Sequence, residues 1–207
     1  GILSLFFSYR KGLSEHETLE YSQQLSSALA YLHKNHIVHR DLKPDNVMLD
    51  KDTDILKIID FGLSATCPST PHLTRRCGTP AYMAPEVTNP TGYGCAVDMW
   101  SLGVSIVEML QGSAPILDEL HHKGNYPKLV QRRNMFAGLP SLSKDCVNFL
   151  DRLLQLYPER RMSAADALQH PWLKSCLTSV TKPQHQKQLQ QRQTEQTLLH
   201  DNKAKQS

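Results

Sequence analysis

The chain lacks most of the features that would place it outside the ordinary globular class. Aromatic residues make up only 7% of its 207 positions, and the formal charge is +3 at pH 7. So small an imbalance leaves no electrostatic footprint for nucleic acid, and no nucleic-acid partner is expected. The five cysteines, Cys67, Cys77, Cys95, Cys146 and Cys176, are odd in number, scattered and never arranged as Cys-x-x-Cys. That pattern excludes a disulfide framework and a cysteine zinc site, and it reads as the reduced thiols of an intracellular protein, cytoplasmic or nuclear. No apolar run approaches the ~20 residues of a membrane span. The short apolar start from Gly1 to Phe7 has neither a basic leader nor a small-residue cleavage site. No membrane partner is expected. His121 and His122 have only Asp118 and Glu119 near them in sequence, too few donors for a metal site.

What is present is a composition of 40% hydrophobic and 21% charged residues, in a chain long enough for one main unit with its own core. Ser14 followed by Glu17 forms a capping box, and Leu25, Leu29 and Leu32 then fall at helical spacing, which predicts a long amphipathic helix from about Glu15 to Lys34. The segments 36–39, 46–49 and 56–59 are too short for helices and rich in β-branched or apolar residues, so they read as short strands around a loop. From Thr66 to Pro90 five prolines among Ser and Thr predict a long surface segment. Val97 to Leu110 is apolar on nearly every face, the pattern of a helix buried all round and stopped near Gly112. Further helices are expected around Val147 to Leu154 and from Ser163, closed by Pro171. The fold is therefore mainly α. Past Cys176 the composition shifts to Gln, Lys, Thr and Ser, so residues 176–207 read as a disordered or weakly helical tail behind a unit of residues 1–175.

Chemistry concentrates in three ordered motifs: His39-Arg40-Asp41-Leu42-Lys43-Pro44-Asp45-Asn46, then Asp60-Phe61-Gly62, then Ala84-Pro85-Glu86. Moving a phosphoryl group asks little covalent work of a protein. It needs a carboxylate to orient the attacking hydroxyl and oxygen ligands for magnesium. Asp41, Asn46 and Asp60 are groups of those kinds.

On these motifs the sequence resembles the eukaryotic-type serine/threonine protein kinase family, over about Gly1 to Lys174. The resemblance implies a protein-kinase-like C-terminal lobe, mainly α, with short strands around the catalytic loop. It implies ATP and Mg2+ as cofactors and a protein with a Ser/Thr acceptor as substrate. By motif position Asp41 corresponds to the catalytic base, Lys43 to the residue that neutralises the transferred group, and Asn46 and Asp60 to the magnesium ligands. Thr79 corresponds to the hydroxyl that bonds Asp41 and Lys43, and with Lys43 it implies Ser/Thr over Tyr. Around the nucleotide the resemblance counts Lys43, Asp45, Asn46, Met48 and Asp60. Met48 reads equally as an ordinary core residue, and Asp45 either attracts a substrate arginine or is a solvated carboxylate. His39 and Phe61 correspond to a stacked apolar column, Glu86 to the partner of Arg161, and Asp98 to the acid that ties the catalytic loop to the buried helix.

Arg40 beside Asp41 implies control by phosphorylation of the segment from Asp60 to Glu86, and hence an upstream activating kinase. Ser69, Thr70 and Thr74 are the candidate acceptors, while Arg75 stands where related kinases most often carry the phosphothreonine. The family pattern also requires a glycine-rich loop, a phosphate-holding lysine and its glutamate partner, none of which is in these 207 residues. The chain thus reads as a piece of a longer protein that is inactive or very weak by itself. The alternative is a catalytically silent binding or regulatory module.

Overall fold

The computed structural model describes residues 1–67, 73–88, 90–113 and 142–179. A short helix α1 (Leu3–Ser8) leads into α2 (Glu15–Lys34). The Ser14 capping box is formed: Glu17 N–H donates to Ser14 Oγ and the Glu17 carboxylate accepts from Ser14 N–H, so two of the free donors at the helix start are satisfied. Glu15 in the same turn accepts from Ser143 N–H at 2.8 Å, from the Ser143 hydroxyl and from Trp172 Nε1–H at 3.0 Å, which staples the start of α2 to the far end of the chain.

After α2 come the strands β1 (Ile37–Val38), β2 (Val47–Asp50), β3 (Ile55–Ile58) and β4 (Ala65–Thr66). They form two antiparallel pairs, β1 with β4 and β2 with β3. This pairing matters for everything downstream. The β2–β3 pair, in register Val47 to Ile58, brings Asn46 beside Ile59, whose N–H donates to the Asn46 carbonyl at 2.9 Å. The β1–β4 pair closes the other end, so residues 39–46 and 59–64 are held side by side between two short ladders.

α3 (Ala96–Gln111) is the centre of the core: every residue from Val97 to Leu110 is buried. It ends at Gly112, which has φ +80; a Cβ there would lie 2.3 Å from Gly12 N, so only glycine fits this stop and this crossing. α2 and α4 (Lys144–Leu153) pack on α3, and α5 (Ala164–Ala167) and α6 (Pro171–Ser179) pack on α2. The helix expected from Ser163 to close at Pro171 instead ends at Ala167, with Leu168 as its cap, and Pro171 opens α6, as its fixed φ and missing N–H allow at the first helical position. α6 runs to Ser179, past the expected start of the tail at 176; residues 180–207 lie outside the described part. Glu86 and Arg161 meet in a buried, two-toothed pair at 2.5 and 3.0 Å. Arg161 spends its other protons on the carbonyls of Ala96 and Gln155 and lies over the Trp100 ring.

Candidate active site

The loop 39–46 is pinned from beneath by α3. Asp98, fully buried, accepts from His39 N–H and Arg40 N–H, both at 2.9 Å, and from the His33 ring at 2.9 Å. His39 is also fully buried. Its Nε2 faces the Ile59 carbonyl at 3.0 Å and its Nδ1 accepts from Asp41 N–H at 3.3 Å, which makes it a neutral ring protonated on Nε2. The Phe61 ring meets His39 edge-on at 5.0 Å. Arg40 and Asp60 both have left-handed backbones, φ +70 and +60. Non-glycine residues in that region cost about 1–3 kcal/mol each and persist only where neighbours over-determine them. Here the neighbours are Asp98 for Arg40, and Gly62 N–H for Asp60 at 3.2 Å.

Above this frame four of the sequence-identified residues share one hydrogen-bond cluster. Asp41 Oδ1 accepts from Thr79 N–H at 2.8 Å and from the Thr79 hydroxyl at 2.7 Å. Asp41 Oδ2 accepts from Asn46 Nδ2 at 3.1 Å and lies 3.6 Å from Lys43 Nζ. Lys43 Nζ donates to Thr79 Oγ1 at 2.7 Å. Thr79 reaches Asp41 because Gly78, at φ +107, brings the chain against the Arg40 carbonyl, which would lie 2.5 Å from a Cβ. The carboxylate of Asp41 therefore has a fixed orientation, with an ammonium and a hydroxyl beside it.

Asn46 Nδ2 also donates to the Asp41 carbonyl at 2.8 Å, so both amide protons are spent and its side-chain oxygen is left as the donor to a ligand. Asp60 uses Oδ1 on Gly62 N–H and is exposed. These are two hard oxygen donors on adjoining segments, and among the described residues no group of three or more His, Cys, Asp or Glu forms a metal cage. That set fits Mg2+, which takes one or two protein oxygens and completes its shell with water and substrate phosphates. Met48 is 42% exposed on the outer face of β2, so it is not a core residue; Ile2 bridges to it. Asp45 is exposed and accepts from the Ser4 hydroxyl at 2.9 Å.

Two partners were missed by sequence reasoning because they are pairs distant in the chain. The Tyr82 hydroxyl donates to Glu108 Oε2 at 2.5 Å, and the Ser101 hydroxyl donates to the Tyr82 carbonyl at 2.8 Å, fastening the stretch after Thr79 onto α3. The signal in sequence was Glu108, an acidic residue among the apolar residues of the second half of α3. Burial, with the nearby Asp45 charge, pushes the Glu108 carboxyl up to about 7 against the opposing Tyr82 hydrogen bond. A carboxyl raised in the folded state binds its proton more tightly there than when unfolded. Its contribution is therefore full below its ordinary 4.5 and is lost as pH rises through about 7. Thermal melts from pH 4 to 8 are expected to show Glu108→Gln losing less stability than wild type across that window; parallel curves would contradict it. The second missed partner is Tyr93, whose hydroxyl donates to the Arg75 carbonyl.

The protein kinase domain family matches residues 2–173, and the chain belongs to that family. It is 38% identical over 173 residues to an Aurora kinase of Schizosaccharomyces pombe, covering 83% of this chain and 47% of that protein. It is 40% identical over 174 residues to CBL-interacting protein kinase 25 of Oryza sativa subsp. japonica, covering 82% and 33%. It is also 40% identical over 167 residues to the SNF1-related protein kinase catalytic subunit alpha KIN12 of Arabidopsis thaliana, covering 80% and 33%. The matched stretch thus spans a third to a half of these relatives. Among the described residues no helix is long and apolar enough to cross a membrane.

Proposed function

We propose that this chain is the C-terminal, acceptor-binding lobe of a protein serine/threonine kinase. Completed by an N-terminal lobe, it transfers the γ-phosphoryl group of ATP to a Ser or Thr hydroxyl of a protein substrate. The observation that carries the reading is the shared cluster of Asp41, Thr79, Lys43 and Asn46. Asp41 orients the acceptor hydroxyl and takes its proton: its Oδ1 is held by Thr79, while Oδ2 is steadied by Asn46 and lies 3.6 Å from Lys43 Nζ. Lys43 sets a positive charge against the negative charge of the moving phosphoryl group. Thr79 ties the acceptor-side segment to the same carboxylate, so substrate docking and base are in register.

Asn46 and Asp60 would hold Mg2+ through their free oxygens. When bound, the ion neutralises phosphate charge. The exposed faces of Met48 and Phe61 offer an apolar platform for the adenine ring and for the completing lobe. Asp45, on the rim, is accessible to a basic substrate side chain. The Lys43–Thr79 contact beside Asp41 favours the short aliphatic hydroxyls.

The test is an acceptor series. With this chain joined to a kinase N-terminal lobe, peptides identical except for Ser, Thr or Tyr at one position are offered with ATP and Mg2+. Transfer to Ser and Thr, with Tyr lower by at least tenfold, is the expected result, a factor worth about 1.4 kcal/mol in the transition state. Preference for Tyr would overturn the acceptor assignment.

A further inference from the structure

Control by an added phosphate needs a guanidinium with donors to spare. Arg40 already spends three of its five donors within the fold. Its Nε donates to the Leu63 carbonyl at 2.5 Å, its Nη2 to the Ser64 carbonyl at 3.3 Å, and its Nη1 to the Tyr93 hydroxyl oxygen at 3.5 Å. Tyr93 is 2% exposed, and its own proton goes to the Arg75 carbonyl at 2.5 Å. With that proton committed, the Tyr93 oxygen accepts from Arg40 and from the Cys77 thiol, 3.7 Å away. Its backbone pairs with Leu73 through two hydrogen bonds, of 3.1 and 2.9 Å. One buried phenol therefore joins the catalytic-loop arginine, the residue at position 75 and the strand-like contact at 73. Four residues further on, Thr79 is bonded to Asp41.

We infer that Tyr93 is a positioning residue that holds segment 73–79 in place through its hydroxyl, so that the acceptor side of the site is ordered with no phosphoryl group on the segment. Arg75 carries no hydroxyl, and Thr74, the one described acceptor candidate, is exposed with its side chain turned to solvent. The neutral phenol does between Arg40 and the chain what a charged phosphate would otherwise do, and it does so constitutively. Tyr93→Phe takes the donor from the Arg75 carbonyl while the ring keeps the packing, so removal of the hydroxyl alone isolates the link. The catalytic consequence rests on the kinase reading above; the structural one does not.

The experiment is hydrogen exchange on the full chain, treated with phosphatase and verified as unphosphorylated by mass spectrometry. Amides of residues 73–79 are followed in wild type, Tyr93→Phe and Arg40→Lys, the last removing the forked donors a lysine cannot replace. Segment exchange faster by roughly tenfold in both variants, with helix α3 unchanged and the wild-type segment protected, is expected. Adding Arg75→Glu to Tyr93→Phe, which puts a carboxylate on the residue whose carbonyl Tyr93 holds, is expected to restore protection. Equal exchange in wild type and Tyr93→Phe, or wild-type protection that arises only after phosphorylation of Thr74, would overturn the inference. Exchange is read without catalysis: if the completed wild-type domain transfers no phosphate while the exchange pattern holds, the kinase reading fails and the role of Tyr93 stands.

Discussion

Replacing Asp41 by asparagine in the completed kinase domain is expected to lower kcat by roughly 10²–10⁴-fold, the usual contribution of a positioned proton acceptor. The near-isosteric amide oxygen still accepts from the Thr79 N–H and hydroxyl, so folding and the acceptor-side segment should survive. What disappears is the basic oxygen beside Lys43, and with it the bond it accepts from Asn46 Nδ2, whose other bond to the Asp41 carbonyl remains. Peptide KM should therefore move little while kcat falls, the signature of an interaction made in the transition state. Steady-state kinetics with a serine peptide and a melting curve check the two halves together. A fall in Tm that accompanies the loss of rate would assign Asp41 a structural role instead.

The largest stability effect is expected at the other end of the molecule. Glu86→Ala leaves the Arg161 guanidinium buried with its two carboxylate bonds gone, although the Ala96 and Gln155 carbonyls remain. Breaking one side of a buried pair costs about 3–5 kcal/mol, which for a unit of this size lowers Tm by roughly 10 °C. Replacing both partners by apolar residues of matching volume, Glu86→Leu with Arg161→Met, is expected to recover much of that loss, since no uncompensated charge is then buried. Arg161 also lies over Trp100 with its centre 5.2 Å from the ring, so the recovery should be incomplete. Chemical denaturation of the single and double variants measures both numbers. Additive losses would show that the pair is not coupled.

Much of the site was legible because its residues announce themselves in short, ordered motifs. Asp41, Lys43, Asn46 and Asp60 need only a few residues of context, and the Ser14 capping box and the apolar run of α3 are local patterns of the same kind. The contacts that sequence could not give join residues far apart by complementary polar chemistry with no periodic signal. Glu15 to Trp172 spans 157 positions, Tyr82 to Glu108 spans 26, and Tyr93 to Arg75 spans 18. Each pairs a buried polar group with a partner chosen by the fold, so nothing around Tyr93 in sequence marks it off from a core tyrosine. Met48 shows the opposite case. Its apolar side chain left its place open, and only the pairing of β2 with β3 turns it outward. Pro171 reads from sequence as a stop, but α5 ends earlier, at Ala167, and the proline's fixed φ starts the next helix.

In the proposed kinase, Asp41, Asn46 and Asp60 form a working phosphoryl-transfer centre and not the relic of one. The most direct measurement is Mg2+-dependent transfer of labelled γ-phosphate from ATP to a serine peptide by the completed domain, wild type against Asp60→Ala. Transfer by wild type that is lost in the variant and absent without Mg2+ is the result expected. Transfer that survives Asp60→Ala, or a wild-type domain that binds peptide and nucleotide yet moves no phosphate, would contradict it.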